Sequence, residues 1–138
     1  MTERIAQLAQ WWQDNEGCFV NLDDVLPHTV VHRAPSENDL TPTPLLLGAY
    51  CWQSKLLGDD DISTFQKVLG GMPAYAAAAA ESHRTLFANW APQTGEGVLR
   101  AQLPTGSVHT VYKRILLPVL TAAGDKLIMT YSEPVTLH

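Results

Sequence analysis

Residues 112–132 read YKRILLPVLTAAGDKLIMTYS. Two apolar runs, ILLPVL and LIM, flank a short Ala-Gly-Asp turn, which is the pattern of a β-hairpin. The first run opens on Tyr112, Lys113 and Arg114, so a strand apolar on both faces begins with a polar, charged entry. Tyr112 and Arg114 share a face with Thr110 and Leu116, while Val111, Ile115, Leu117 and Val119 share the other, with Lys113 interrupting it. Alternation alone leaves open which face is which. The plainer expectation puts Arg114 on the outer sheet face, paired with an acid or covered by another element. In the other placement it meets an anionic ligand, for whose carboxylate its planar fork is suited.

Working outward, residues 95–104, GEGVLRAQLP, alternate Leu99, Ala101 and Leu103 with Arg100 and Gln102, a half-buried strand. The Pro104–Ser107 link suits a turn into a long strand over 108–120. Upstream, Pro73 opens a helix carrying five consecutive alanines before ESHRTLFANW. Two short helical pieces precede it, SKLLG and ISTFQKVLGG, with Asp61 as a cap for the second. PLLLGAYC (44–51) and HTVVHR (28–33) read as strands, separated by the proline-bearing loop PSENDLTPTP; Gly48 marks a bulge or a close approach. Residues 21–26 suit one helical turn capped by Asn21 and stopped by Pro27. Residues 2–16 form an amphipathic helix, with Ile5, Leu8 and Trp12 on one face and Trp11 beside them, capped by Thr2 and ended by Gly17. The order is helix, two strands, several helices, three antiparallel strands. That is α+β organisation in a single domain, with no repeat.

Composition bounds the function. The chain has 138 residues and a net charge of −5 without a Lys/Arg cluster, which argues against a nucleic-acid surface. Apolar runs are too short to span a bilayer, and the N-terminus lacks a signal-peptide h-region, so a cytoplasmic location is expected. Cys18 and Cys51 have no metal spacing and are expected to be free thiols, with Cys51 at the end of the second strand. His28 and His32, four apart on a strand, would lie on one face about 13 Å apart, too far to share a metal. His109 is expected to face solvent. Asp59, Asp60 and Asp61 read as a solvated loop and a cap. No GxSxG, HExxH, P-loop or dinucleotide fingerprint is present, so the chain is not expected to be an enzyme.

The element order resembles the PAS fold, in which two strands, a helical belt and a three-stranded meander follow one another. LGAYCWQSKLLGDDDI resembles the passage from the second strand into a short helix ending in Leu-Gly. YKRILLPVLTAAGDKLIMTYS resembles the closing hairpin of a bacterial single-domain PAS-like family, which also places a tryptophan-bearing helix before its first strand, as AQLAQWW does here. The resemblance covers roughly residues 5–135. It implies a five-stranded antiparallel sheet with a helical belt on one face, a core over 28–135, and an N-terminal flanking helix over 2–17.

The resemblance also implies a sensory role: a small ligand or partner protein is bound, and output passes to another chain because no further module follows. Tyr112, Arg114, His83 and Trp90 then become candidate ligand-binding residues, with Trp52 and Trp90 framing the belt. In heme-binding members a histidine of the long helix ligates iron, which would fall to His83. Its neighbours Glu81, Ser82 and Arg84 instead favour a helix-surface histidine, and the cofactor stays unassigned. A photoactive flavin adduct is not expected, because the belt lacks the cysteine it requires. Ile5, Leu8, Trp11 and Trp12 become candidates for a homodimer interface, against a plain cap over the sheet. A ligand-free dimerisation module and a small cryptic enzyme using Cys51 are the alternatives.

Overall fold

The structure is a computed structural model that describes residues 2–36, 43–103 and 106–135. Helix α1 (Glu3–Asp14) is followed by strands β1 (Val30–Arg33) and β2 (Thr43–Leu47). Helices α2 (Trp52–Leu57), α3 (Ile62–Gly70) and α4 (Pro73–Asn89) come next, then strands β3 (Gln93–Leu103), β4 (Gly106–Leu120) and β5 (Lys126–Pro134). All five strands form one antiparallel sheet in the order β2-β1-β5-β4-β3. The first and last thirds of the chain therefore meet at the β1–β5 pair, where Val30 lies opposite Thr130 and His32 opposite Ile128. The expected α+β architecture is present. The proposed turn at 104–107 falls partly outside the described residues.

The helix ends follow their sequence signals. Thr2 accepts a hydrogen bond from the Ile5 amide, and Asp61 accepts one from the Ser63 amide. Each satisfies a helix N–H that lacks a partner within its own helix. The DDD run is solvated, as its exposure requires.

ILLPVL is apolar on both sides because both sides are covered. On the outer face, Ile115, Leu117 and Val119 pack with Val31 and Met129 beneath Ile5, Leu8 and Trp11 of α1. On the inner face, Leu116 packs with Ile128 and Leu86 of α4. Pro118 stands where its missing N–H breaks no ladder bond, since β3 starts opposite Leu116 and leaves this edge of β4 unpaired. The chain after α1 completes that edge. The Trp12 indole donates to the Pro118 carbonyl at 2.6 Å, the Leu120 amide to Gly17 O at 2.9 Å, and the Phe19 amide to Leu120 O at 2.9 Å.

Several local expectations are corrected. Residues 22–26 do close one hydrogen-bonded turn, the Leu26 amide donating to Leu22 O at 2.8 Å, but Pro27 does not stop the chain there. A 3-10 turn runs over Leu26–His28 with Pro27 in its first positions, where a missing N–H is tolerated. Asn21 takes a positive φ of 55° and its carbonyl accepts the Trp11 indole N–H at 3.0 Å. His28 thus leaves the strand, so it and His32 do not share a strand face. Strand β2 ends at Leu47, and Cys51 is the N-cap of α2, its Sγ accepting from the Ser54 amide at 3.4 Å. The turn between them explains Gly48, whose added Cβ would lie 2.4 Å from the Pro27 carbonyl oxygen. Cys18 and Cys51 are both free. Among the described residues, no helix is long and apolar enough to cross a membrane.

Candidate functional site

The inner face of the sheet and the helical belt enclose a cavity of about 30 Å³. That is room for about two water molecules. His32 of β1, Arg114 and Leu116 of β4, and Thr130 of β5 form its floor. Gln53 of α2, Phe65 of α3, and Tyr75, Ala79 and His83 of α4 form its roof and walls. Register places the floor residues: Thr130 is opposite Leu116 on one side and Val30 on the other. Helix periodicity places the roof residues. Tyr75, Ala79, His83 and Leu86 fall along one stripe of α4, while Glu81 and Arg84 pair on its exposed side at 3.4 Å.

The cavity is polar where the surrounding core is not. The His32 and His83 rings lie 5.2 Å apart between centroids, and Phe65 stands edge-on to His32 at 6.3 Å. Among the described residues, His32 Nδ1, Thr130 Oγ1 and Gln53 Oε1 are buried without a hydrogen-bond partner. Leaving such an atom unpaired costs about 1–3 kcal/mol each, so three in one cavity mark a place that favours a polar guest. Burial, reinforced by His83, pushes the His32 pKa down to about 3. Burial and the Arg114 guanidinium push His83 down to about 4. Both imidazoles are neutral at neutral pH, and each offers one N–H and one lone pair.

Arg114 corrects the outer-face expectation. Its side chain turns inward under α4 and donates through Nη2 to Ser82 Oγ at 3.0 Å. Among the described residues no carboxylate lies within ion-pair distance of it. The strand's polar entry is thus the wall of a cavity. His83 corrects a second expectation: it is buried, 4 % exposed, despite its polar neighbours, because those neighbours point away from the stripe that meets the sheet.

Tyr112 lies beside Arg114 on the same face, its ring 5.3 Å from that of Trp52. Tyr75 lies close by, its pKa raised above the ordinary tyrosine range chiefly by burial and next by Tyr112. The Tyr112 ring lies across Gly97, directly opposite in the ladder; a Cβ there would stand 2.6 Å from its Cζ and hydroxyl. Gly97→Val will therefore displace Tyr112 and open the tyrosine pair. The expected loss is about 2 kcal/mol, the cost of overpacking. It is read as a shift in the urea midpoint with a change in Trp52-sensitive fluorescence; unchanged fluorescence would show that the ring does not need the glycine.

Of the four candidates, Arg114 and His83 line the cavity, Tyr112 lines the neighbouring groove with Arg114, and Trp90 lines neither. It ends α4 in the left-handed region, packed against Phe87 at 5.8 Å with Lys126 Nζ 5.9 Å from its ring centre. Ile5, Leu8 and Trp11 are buried against the outer sheet face, and Trp12 is half-buried, so these side chains cap the sheet within the chain. His109 is exposed and accepts from Arg100 at 3.1 Å. Among the described residues, no group of three metal-ligating side chains converges. Sequence reasoning missed His32, Thr130, Gln53 and Tyr75 as site residues. No local signal marks those four; the glycine signal belongs to Tyr112, since Gly97 opposite it leaves room for its ring.

Outside this cavity the same face continues as an open groove of about 580 Å³ between α4 and β3. Tyr75, Ala79 and Arg114 line both spaces. Compared with known protein families and with curated proteins, the sequence matches none.

Proposed function

We propose that this chain is a PAS-like sensory domain that binds a small ligand by a polar group held between the belt and the sheet and passes its signal to another chain. The carrying observation is the convergence of His32 Nδ1, Gln53 Oε1 and Thr130 Oγ1, all unpartnered, on one cavity beside Arg114. The element order of two strands, three helices and a three-stranded meander supports the PAS-like reading. The cavity's size favours a compact ligand over heme, so His83 is read here as a hydrogen-bonding group.

The runner-up reading, a ligand-free homodimerisation module, draws on a different surface. Val98 and Val111 lie opposite one another on the outer face of β3–β4, 54 % and 37 % exposed. Native mass spectrometry of the purified protein, followed by extraction of small molecules, separates the two. A released small molecule with one copy per chain supports the sensor. An empty homodimer supports the interaction module and counts against the sensor.

A further inference from the structure

We infer that the ligand is an organic monoacid whose carboxylate sits on Arg114 and whose apolar body lies in the groove between α4 and β3. This rests on the ligand site proposed above and names its chemistry. Among the described residues, Arg114 is the one side chain with a fixed charge lining the inner cavity. It is half-buried, and among the described residues one arm of its five N–H donors is engaged, with a neutral hydroxyl. A guanidinium held this way recognises a carboxylate through two parallel hydrogen bonds. The two histidines beside it are neutral and do not compete for the anion. Just past Arg114, the buried Thr130 Oγ1 and His32 Nδ1 have no partner among the described residues, in residues 91 % and 92 % buried. Both can donate to a carboxylate oxygen that Arg114 leaves free.

The groove supplies the other half of the ligand's chemistry. Its walls are mostly small or apolar: Ala74, Ala78 and Ala79 on α4 face Gly97 and Leu99 on β3, while Arg100, which also lines it, is exposed and donates to His109 Nε2 at 3.1 Å. Its one lining carboxylate, Glu96, is exposed and lies opposite Lys113 in the ladder. The alanine run therefore has a use beyond helix propensity, since it keeps the channel to Arg114 open. A volume of about 580 Å³ is within the usual range for small-molecule sites.

The test is isothermal titration of the full chain with octanoate and, in parallel, octanol. Octanoate should bind one to one, and octanol about 30-fold more weakly, the value of one charge-assisted hydrogen-bonded contact. Arg114→Gln should weaken octanoate about 30-fold and leave octanol unchanged. Ala78→Leu, at an exposed helix position that tolerates leucine, should weaken both by narrowing the groove. Equal binding of acid and alcohol, with Arg114→Gln silent and Ala78→Leu effective, overturns the acid while leaving the ligand site standing. Octanoate binding that neither variant alters overturns the placement. Failure of both probes to bind the wild type overturns the inference and weakens the site reading with it.

Discussion

Moving the protein from about pH 7.5 to about pH 5.5 will lower its unfolding free energy by on the order of 3 kcal/mol. The cause is the buried pair His32 and His83, whose pKa values are held down at about 3 and about 4 against an ordinary 6.5. Both groups are depressed on folding, so between those values and 6.5 the unfolded chain binds protons that the native chain refuses. Stability is therefore complete above 6.5 and is lost as pH falls towards 4. One pH unit below 6.5 costs about 1.4 kcal/mol for each such histidine. Arg114 works in the same sense, because a charged His83 would face a guanidinium. Urea denaturation at the two pH values measures the loss, and His32→Phe should remove about half of the pH dependence. A change below about 1 kcal/mol in the wild type would show that the pair is not buried as described.

Leu8→Ala will cost about 3 kcal/mol, within the span of buried leucine truncations. Leu8 is fully buried among Ile5, Trp11, Ile115, Leu117 and Met129. The result separates two roles for α1. If it is an integral cover of the outer face, the urea midpoint falls while the denaturant slope and the association state stay unchanged. If α1 were chiefly a dimerisation helix, sedimentation would change and stability would not.

The fold was legible where periodicity and punctuation agree. The α4 helix follows from Pro73 and the alanine run, the closing hairpin from alternation around Gly124, and the order of elements from these together. The site was only half legible. Tyr112 and Arg114 could be paired by alternation, but a strand apolar on both faces carries no local sign of which face α4 covers. His83 misled because its sequence neighbours are charged, whereas its burial depends on residues four and eight positions away along the helix. His32 and Thr130 come from opposite ends of the chain and meet only through the β1–β5 register, which no local window contains. Trp90 was drawn into the site by its type alone, and a left-handed cap at the far end of α4 keeps it out.

The central claim is that the unpartnered polar atoms around His32 and Thr130 exist to meet a ligand. Thr130→Val keeps the shape of the side chain and removes the orphaned hydroxyl, so the unliganded variant should be about 1 kcal/mol more stable than the wild type. The direct test is a thermal-shift screen of compact polar and acidic compounds run in parallel on both proteins. At least one compound should raise the wild-type Tm by several degrees and lose most of that shift in Thr130→Val. No stabilising compound, or the same shift in both proteins, would contradict it.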